Sequence, residues 1–292
     1  MRLGFLGSPQ LAVPVLDALV DAGHDVALVV SQPDRRRGRG GALTPTPVKA
    51  AALRHGIDVT DRLTDLEATA VDLSVVVAYG ALVPGSLLER APMLNVHFSL
   101  LPRWRGAAPV ERAILAGDVR TGVCVMRLEE TLDTGPVYAS ASTDVDDKDL
   151  TSLQAELVTL GTGLLVALLD GTVEELPDPV PQHGEATYAR KVTDAELELD
   201  FTGPAVELAR VVRLGRARTS VDGHRLVVLA AEVVEDAVGG PGDFDGVVVT
   251  CGSGGLRLLA IVPEGRRAMS PAAWLRGLHA DRPTHLGSAT LP

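Results

Sequence analysis

Two rhythms of apolar and polar positions run along this chain. In the first, short apolar runs alternate with longer segments whose apolar residues recur every three or four positions. "RLGFLG" reads as a strand ending at Gly7. "LAVPVLDALVDAG" reads as a helix that aligns Leu11, Val15, Leu16, Leu19 and Val20 and stops at Gly23. "DVALVV" predicts a buried strand and "PVKAAALRHG" a helix ending at Gly56. "LSVVVAYG" is a continuous β-branched run, the pattern of a central parallel strand covered on both faces. "LNVHF" (strand), "PVERAILAGD" (helix) and "TGVCVMRL" (strand) continue the alternation. The long helix "TSLQAELVTLGTGLLVALLDG" opens on a capping-box pattern, Thr151 to Gln154, and closes at Gly171. This order predicts an α/β fold with a Rossmann-like doubly wound sheet.

The second rhythm begins after roughly residue 175. "LPDPVPQHGEATYARKV" is polar and Pro-rich and reads as a linker. One helix follows, "GPAVELARVVRLG". Then come short strand-like runs, "HRLVVLAAEVV", "GVVVTCG" and "GLRLLAIV", with "GGPGDFDG" as a hairpin or loop between them. Several short strands without helices predict a small β-barrel-like (OB-like) domain or a sandwich. The expected division is a first domain over 1–180, a linker over 181–202 and a C-terminal β-barrel-like domain over 203–292.

Composition narrows this picture. At 292 residues and 46% hydrophobic the chain is globular, and with 3% aromatics its core must be mostly Val, Leu and Ala. No segment reads as a transmembrane helix, since "LSVVVAYGALVPG" is short and broken by Gly and Pro, and "MRLGFLGSPQ" lacks the features of a secretory signal. Cys124 and Cys251 lie far apart in strand-like runs, which points to buried thiols in a reducing, cytoplasmic setting. The net charge of −11 argues against a protein that coats nucleic acid, yet "RRRGRGG" gathers Arg35, Arg36, Arg37 and Arg39.

Open α/β sheets bind ligands beyond the carboxyl ends of their strands, where strand order reverses. Three loops are placed at that edge: "AYGALVP", "HFSLLPRWRG" and "ETLDTGPVY". Asn95 and His97 are two residues apart, so on a strand they face the same side. An amide donor beside an imidazole suits oxyanion stabilisation and proton acceptance, and Asp133 is the obvious carboxylate to orient the ring. No Ser or Cys sits in a nucleophile elbow, and no cluster has metal-ligand spacing. Spacing alone leaves the alternative of a satisfied structural histidine open. Trp104 and Arg105 are either structural or line an entrance. His24, His55, His183, His224, His279 and His285 read as structural or exposed.

The full strings carry more. "NVHFSLLPRWRGAAP" followed by "LDTGPVY" resembles the folate-dependent formyltransferases, and most of all the branch acting on methionyl-tRNA. "FLGSP", "QPDRRRGRGGALTPTPVK", "VVVAYGALVP", "TYARKVTDAELELDF" and "VPEGRRAMSPAAWLRG" extend the resemblance almost end to end. The resemblance implies 10-formyltetrahydrofolate as formyl donor, with folate contacts from Tyr79, Gly80, Leu82, Ser99, Leu100, Leu101 and Pro102, largely through backbone groups. It implies catalysis by Asn95, His97 and Asp133 on the α-amine of initiator methionyl-tRNA, without metal. It implies tRNA contacts from Arg35, Arg36, Arg37 and Arg39, with Arg39 foremost, and from Arg266 and Arg267. A monomer that engages no membrane is expected.

The sequence departs from the family pattern in three places. Phe98 stands between His97 and Ser99, Leu11 replaces an aromatic, and "VVRLGRARTSVDGHRL" lacks the Pro and Trp usual at the start of the C-terminal domain. Competing readings are a sugar-amine formyltransferase, a hydrolase of the same donor, and a tRNA-binding paralogue without activity. An NAD-dependent dehydrogenase is opposed by "GFLGSPQ", which lacks G-x-G-x-x-G, and by the Ser-Gln that ends "VVSQPD".

Overall fold

In this computed structural model, residues 1–37, 41–278 and 282–287 are described. The first elements are β1 (Arg2–Gly7), α1 (Val13–Asp21), β2 (Asp25–Val30), β3 (Arg35–Arg37), β4 (Ala42–Thr44), α2 (Pro47–Arg54) and β5 (Val59–Thr60). Next come α3 (Leu63–Ala68), β6 (Leu73–Val77), α4 (Gly85–Leu88), β7 (Met93–His97), β8 (Arg105–Gly106) and α5 (Pro109–Ala116). β9 (Arg120–Arg127), β10 (Val137–Asp144), α6 (Leu150–Leu168) and β11 (Tyr188–Ala189) follow.

Seven strands form one sheet in the order β10–β9–β7–β6–β1–β2–β5. The five from β7 to β5 are parallel, and every residue of β6 and β7 is buried. That is why "LSVVV" shows no polar face. β9 runs antiparallel to β7 and β10 antiparallel to β9. β10, "VYASASTD", was not legible as a strand. It is an edge strand of small and polar residues, formed by pairing with β9 rather than by β-branched propensity.

The long helix starts two residues earlier than its capping-box pattern suggests. Asp149 is the cap: its carboxylate accepts the backbone N–H of Ser152 at 2.7 Å and the Ser152 hydroxyl at 2.5 Å. A carboxylate is a better acceptor than the Thr151 hydroxyl and carries charge favoured at this end. α6 is also long and apolar enough, by length and composition, to cross a membrane, contrary to the expectation that no segment reads so. Leu153, Leu157 and Leu165 are fully buried, and a Cβ on Gly161 would stand 2.9 Å from Val96 and Val123, so the helix seats directly on the sheet.

The chain divides into two compact units, Met1–Val110, Arg120–Asp144 and Gln154–Arg190 in one, and Glu111–Val119, Val145–Leu153 and Lys191–Pro292 in the other. The segment read as a linker therefore contributes residues to both. The second unit contains α7 (Ala205–Val212), β12 (Ala217–Val221), β13 (His224–Val234), β14 (Val248–Thr250), β15 (Gly255–Pro263) and α8 (Pro271–Arg276). Its strands form an antiparallel sheet ordered β12–β13–β15–β14 around Phe201, Leu226, Leu256, Ile261 and Trp274. The stretch that departs from the family pattern supplies β12 and a two-residue turn at Asp222 and Gly223, both at positive φ (48° and 78°). Within this unit Arg112 grips Glu196 at 2.6 and 3.2 Å, and these bonds with that from Thr193 draw the Glu196 carboxyl down to about 2.

The hydrogen bonds from Ser152 hold the Asp149 carboxyl below its ordinary value. Its contribution is therefore full above the unfolded pKa, near 4, and fades as pH falls through the lower folded value. Asp149→Ala should lose about 1 kcal/mol at neutral pH in urea unfolding. The gap to the unchanged protein should narrow steadily as the titration is repeated toward pH 2–3.

Candidate active site

β7 carries both candidate groups on one side, Asn95 and His97, 9% and 5% exposed. It lies between parallel β6 and antiparallel β9, with Val76 and Met126 flanking Asn95. The reversal of strand order lies elsewhere, between β1 and β6. The site thus forms where the sheet changes from parallel to antiparallel, and not at the switch point expected from the fold class.

Asp133 reaches this site by an unexpected route. β9 runs antiparallel to β7, and its last residue, Arg127, pairs with Leu94. The loop after β9 therefore leaves at the start of β7, not at its carboxyl edge with the other two loops. It folds back along about three strand residues, on the order of 10 Å, to bring Asp133 to His97. Asp133 holds φ 51°, and a side chain at Gly135 would collide with the carbonyl of Arg127. The "LDTG" string thus supplies the carboxylate and the one residue that lets its loop lie on the end of β9.

The Asp133 carboxylate is 6% exposed and has three neighbours. It accepts the backbone N–H of Gly106 at 2.7 Å and Asn95 Nδ2–H at 3.4 Å, and lies 3.7 Å from His97 Nδ1. His97 Nε2 lies 2.9 Å from the Trp104 carbonyl. A carbonyl only accepts, so Nε2 carries a proton. Nδ1 then faces the Asp133 carboxylate. This arrangement sets an imidazole and a carboxylate, the residue types used for general acid–base chemistry, beside an amide donor.

The remaining candidates separate. Ser99 is fully buried and its hydroxyl donates to the Arg103 carbonyl at 2.6 Å, leaving its side chain committed. Leu100, Leu101 and Pro102 are half-buried in the turn after β7, with a cis bond between the last two. The Tyr79 ring is buried with Leu6, Leu28 and Val76, and burial pushes its phenol above the ordinary value. Gly80 adopts φ 82°, and Leu82 is 76% exposed, an apolar side chain in the loop after β6. Arg35 and Arg36 are exposed on the β3–β4 hairpin, and Arg37 belongs to β3. Arg39 lies outside the described residues, as does His279. Arg266 and Arg267 are exposed in the second unit, after the turn that ends β15.

Burial raises the Cys124 thiol and pushes Cys251 up to about 11, so both are inert near neutral pH. Among the described residues no group of His, Cys, Asp and Glu could hold a metal ion. Trp104, read from the sequence as structural or lining an entrance, contributes through its carbonyl; sequence reasoning missed three further contributors, Gly106, Gln182 and Thr187. Only Gly106 left a trace, as the Gly closing "RWRG": it adopts φ 117°, and a Cβ there would stand 2.9 Å from the Ala189 carbonyl.

The family model for formyl transferase matches residues 1–169, and that for the formyl transferase C-terminal domain matches 191–279. The fold is that of a formyl transferase. A methionyl-tRNA formyltransferase of Novosphingobium aromaticivorans is 46% identical over 98% of this chain and 100% of its own length. Another from Ruegeria pomeroyi is 40% identical over 98% and 100%. The chain belongs to the methionyl-tRNA formyltransferase family. The fold is also that of an N-formyltransferase from Helicobacter canadensis solved with folinic acid and dTDP-3-aminofucose (TM-score 0.69, 16% identity, 88% of this chain and 99% of that one). HypX from Aquifex aeolicus, solved with tetrahydrofolic acid, matches at TM-score 0.66 and 19% identity over 94% of this chain, which spans 47% of HypX.

Gly106→Ala should cost about 1–3 kcal/mol in denaturant unfolding, because positive φ and the Ala189 carbonyl both oppose a side chain. The shift of its N–H from Asp133 should lower the rate of the folded fraction as well.

Proposed function

We infer that the chain transfers the formyl group of 10-formyltetrahydrofolate to the α-amine of methionyl-tRNA, the initiator species, in the cytoplasm. The observation that carries this reading is the buried Asn95–His97–Asp133 constellation, which sets an imidazole and a carboxylate beside an amide donor. The amine attacks the formyl carbon, forming the new C–N bond. Asn95 Nδ2 and the His97 ring stabilise the oxygen as it gains charge. The Asp133–His97 pair takes the proton of the amine and returns it to the folate nitrogen as the old C–N bond breaks. The donor is already an activated formyl group, so positioning and electrostatics suffice.

The loop after β6, with Leu82 exposed, and the backbone of Ser99 to Pro102 after β7 form the folate side. These are apolar and backbone groups in the loops that follow adjacent strands, suited to a flat heterocycle with donors and acceptors on its edge. On the tRNA side, Arg35 and Arg36 project from a hairpin whose root is pinned. Asp34 is paired with Lys49 Nζ at 2.9 Å, and the Ser31 and Thr46 hydroxyls meet at 2.5 Å. We place Arg37, Arg39, Arg266 and Arg267 with them as contacts to phosphate and unpaired bases. In this reading 1–180 is the catalytic domain, 181–202 the linker and 203–292 the tRNA-binding domain.

Purified protein with 10-formyltetrahydrofolate and charged initiator tRNA should yield formyl-methionyl-tRNA, with kcat lowered about 10²–10⁴-fold in His97→Ala. Transfer to an amino-sugar nucleotide or to water, with none to methionyl-tRNA, would overturn the acceptor. Arg35→Ala should leave kcat near its original value, raise KM for the tRNA and reduce the slope of log affinity against log salt by about one.

A further inference from the structure

We propose that Gln182 and Thr187 are positioning residues of the formyl-transfer reaction, and that the segment between them fastens both catalytic loops. The proposal rests on the reaction assigned above and concerns residues outside the three catalytic groups.

Asp133 stands on a loop that has left its own ladder, so the sheet does not hold it in place. Gln182 does. Its Nε2 donates to the carbonyls of Asp133 and Gly135, each at 2.8 Å. Its Oε1 accepts from Arg105 Nε at 3.1 Å and from a terminal guanidinium nitrogen at 2.7 Å. Carbonyls only accept and arginine only donates, so the amide has one possible orientation and both ends are used. Next to it, Val180 and Val137 exchange backbone hydrogen bonds of 2.8 Å, which fixes the segment against the start of β10.

Thr187 does for the imidazole what Gln182 does for the carboxylate. Its hydroxyl accepts the backbone N–H of Trp104 at 2.9 Å, and its carbonyl accepts the N–H of Arg105 at 2.9 Å. Trp104 sits at φ 62°, a conformation a tryptophan does not hold unaided. That conformation aims the Trp104 carbonyl at His97 Nε2 and so decides which ring nitrogen faces Asp133. The same segment ends in β11, which pairs with β8 and brings Gly106 to the other side of the carboxylate. One strap thus sets the backbone of both partners of the His97–Asp133 pair.

The test uses the full chain with isosteric changes. Gln182→Met and Thr187→Val should lower kcat about 10- to 100-fold, with KM for folate and for tRNA within twofold and the melting temperature close to the original. Thr187→Ser, which keeps the acceptor, should restore the rate. Gln182→Glu keeps an acceptor for Arg105 but offers nothing to the two carbonyls, so it should remain slow even where it is stable. In parallel, ¹⁵N-edited spectra of the histidine rings, with His97 assigned through His97→Gln, should show a protected Nε2–H in the original protein and in Thr187→Ser. That signal should be lost or broadened in Thr187→Val. Rates within twofold and an unchanged ring signal would overturn the proposal. So would a rate loss that follows only the loss of folded protein. Should the original protein formylate no methionyl-tRNA, the assignment of the reaction fails, while the ring signal still decides the positioning role.

Discussion

A carboxylate and an imidazole, each less than a tenth exposed, are costly to bury unless every proton and lone pair is met. Asp133 and His97 meet that condition with one another, one amide side chain and backbone groups: the Gly106 N–H on the carboxylate and the Trp104 carbonyl on the ring. Much of the local architecture follows from keeping these few atoms in register. Positive φ at Trp104 and Asp133, glycine at 106 and 135, and the strap over 180–189 are all conditions on that one pair.

Chain direction explains why so much support is needed. β7 delivers Asn95 and His97 through its own hydrogen-bonded register, at no further structural demand. β9 delivers nothing comparable, because its antiparallel course passes His97 at Cys124 and ends three residues beyond it, opposite Leu94. The carboxylate must be carried back on a loop, and a loop outside a ladder has no intrinsic register. Gln182 and Val180 supply one from a distant part of the chain. A parallel strand in place of β9 would have released its loop at the edge where His97 lies.

The charge distribution follows a similar division between body and site. A net charge of −11 keeps the body from holding nucleic acid without discrimination, while Arg35 and Arg36 present cations on a hairpin with a fixed root. The Asp34–Lys49 pair matters here less as an ion pair than as a tether, since a partly exposed pair contributes little energy of its own. An acidic surface with a local basic element favours an oriented and salt-sensitive complex.

Local patterns determined what the chain alone could fix. The apolar runs of β1, β2, β6 and β7, the helix stops at Gly23 and Gly56, and the spacing of Asn95 and His97 rest on contacts within a few residues. The motif strings gave the family and named Asp133. The tertiary structure decided the rest. β10 became a strand only through β9, the α6 cap moved to Asp149 because a carboxylate outcompetes a hydroxyl, and Tyr79 and Ser99 turned inward to packing and to Arg103. Gln182 and Thr187 looked like linker residues, because nothing in "PQHGEATYARKV" reveals that it lies against loops 50 to 80 positions earlier. Periodicity reports what a residue does to its near neighbours along the chain. Which carbonyl an amide will meet across a fold depends on strand direction and register, and these exist only once the sheet has formed.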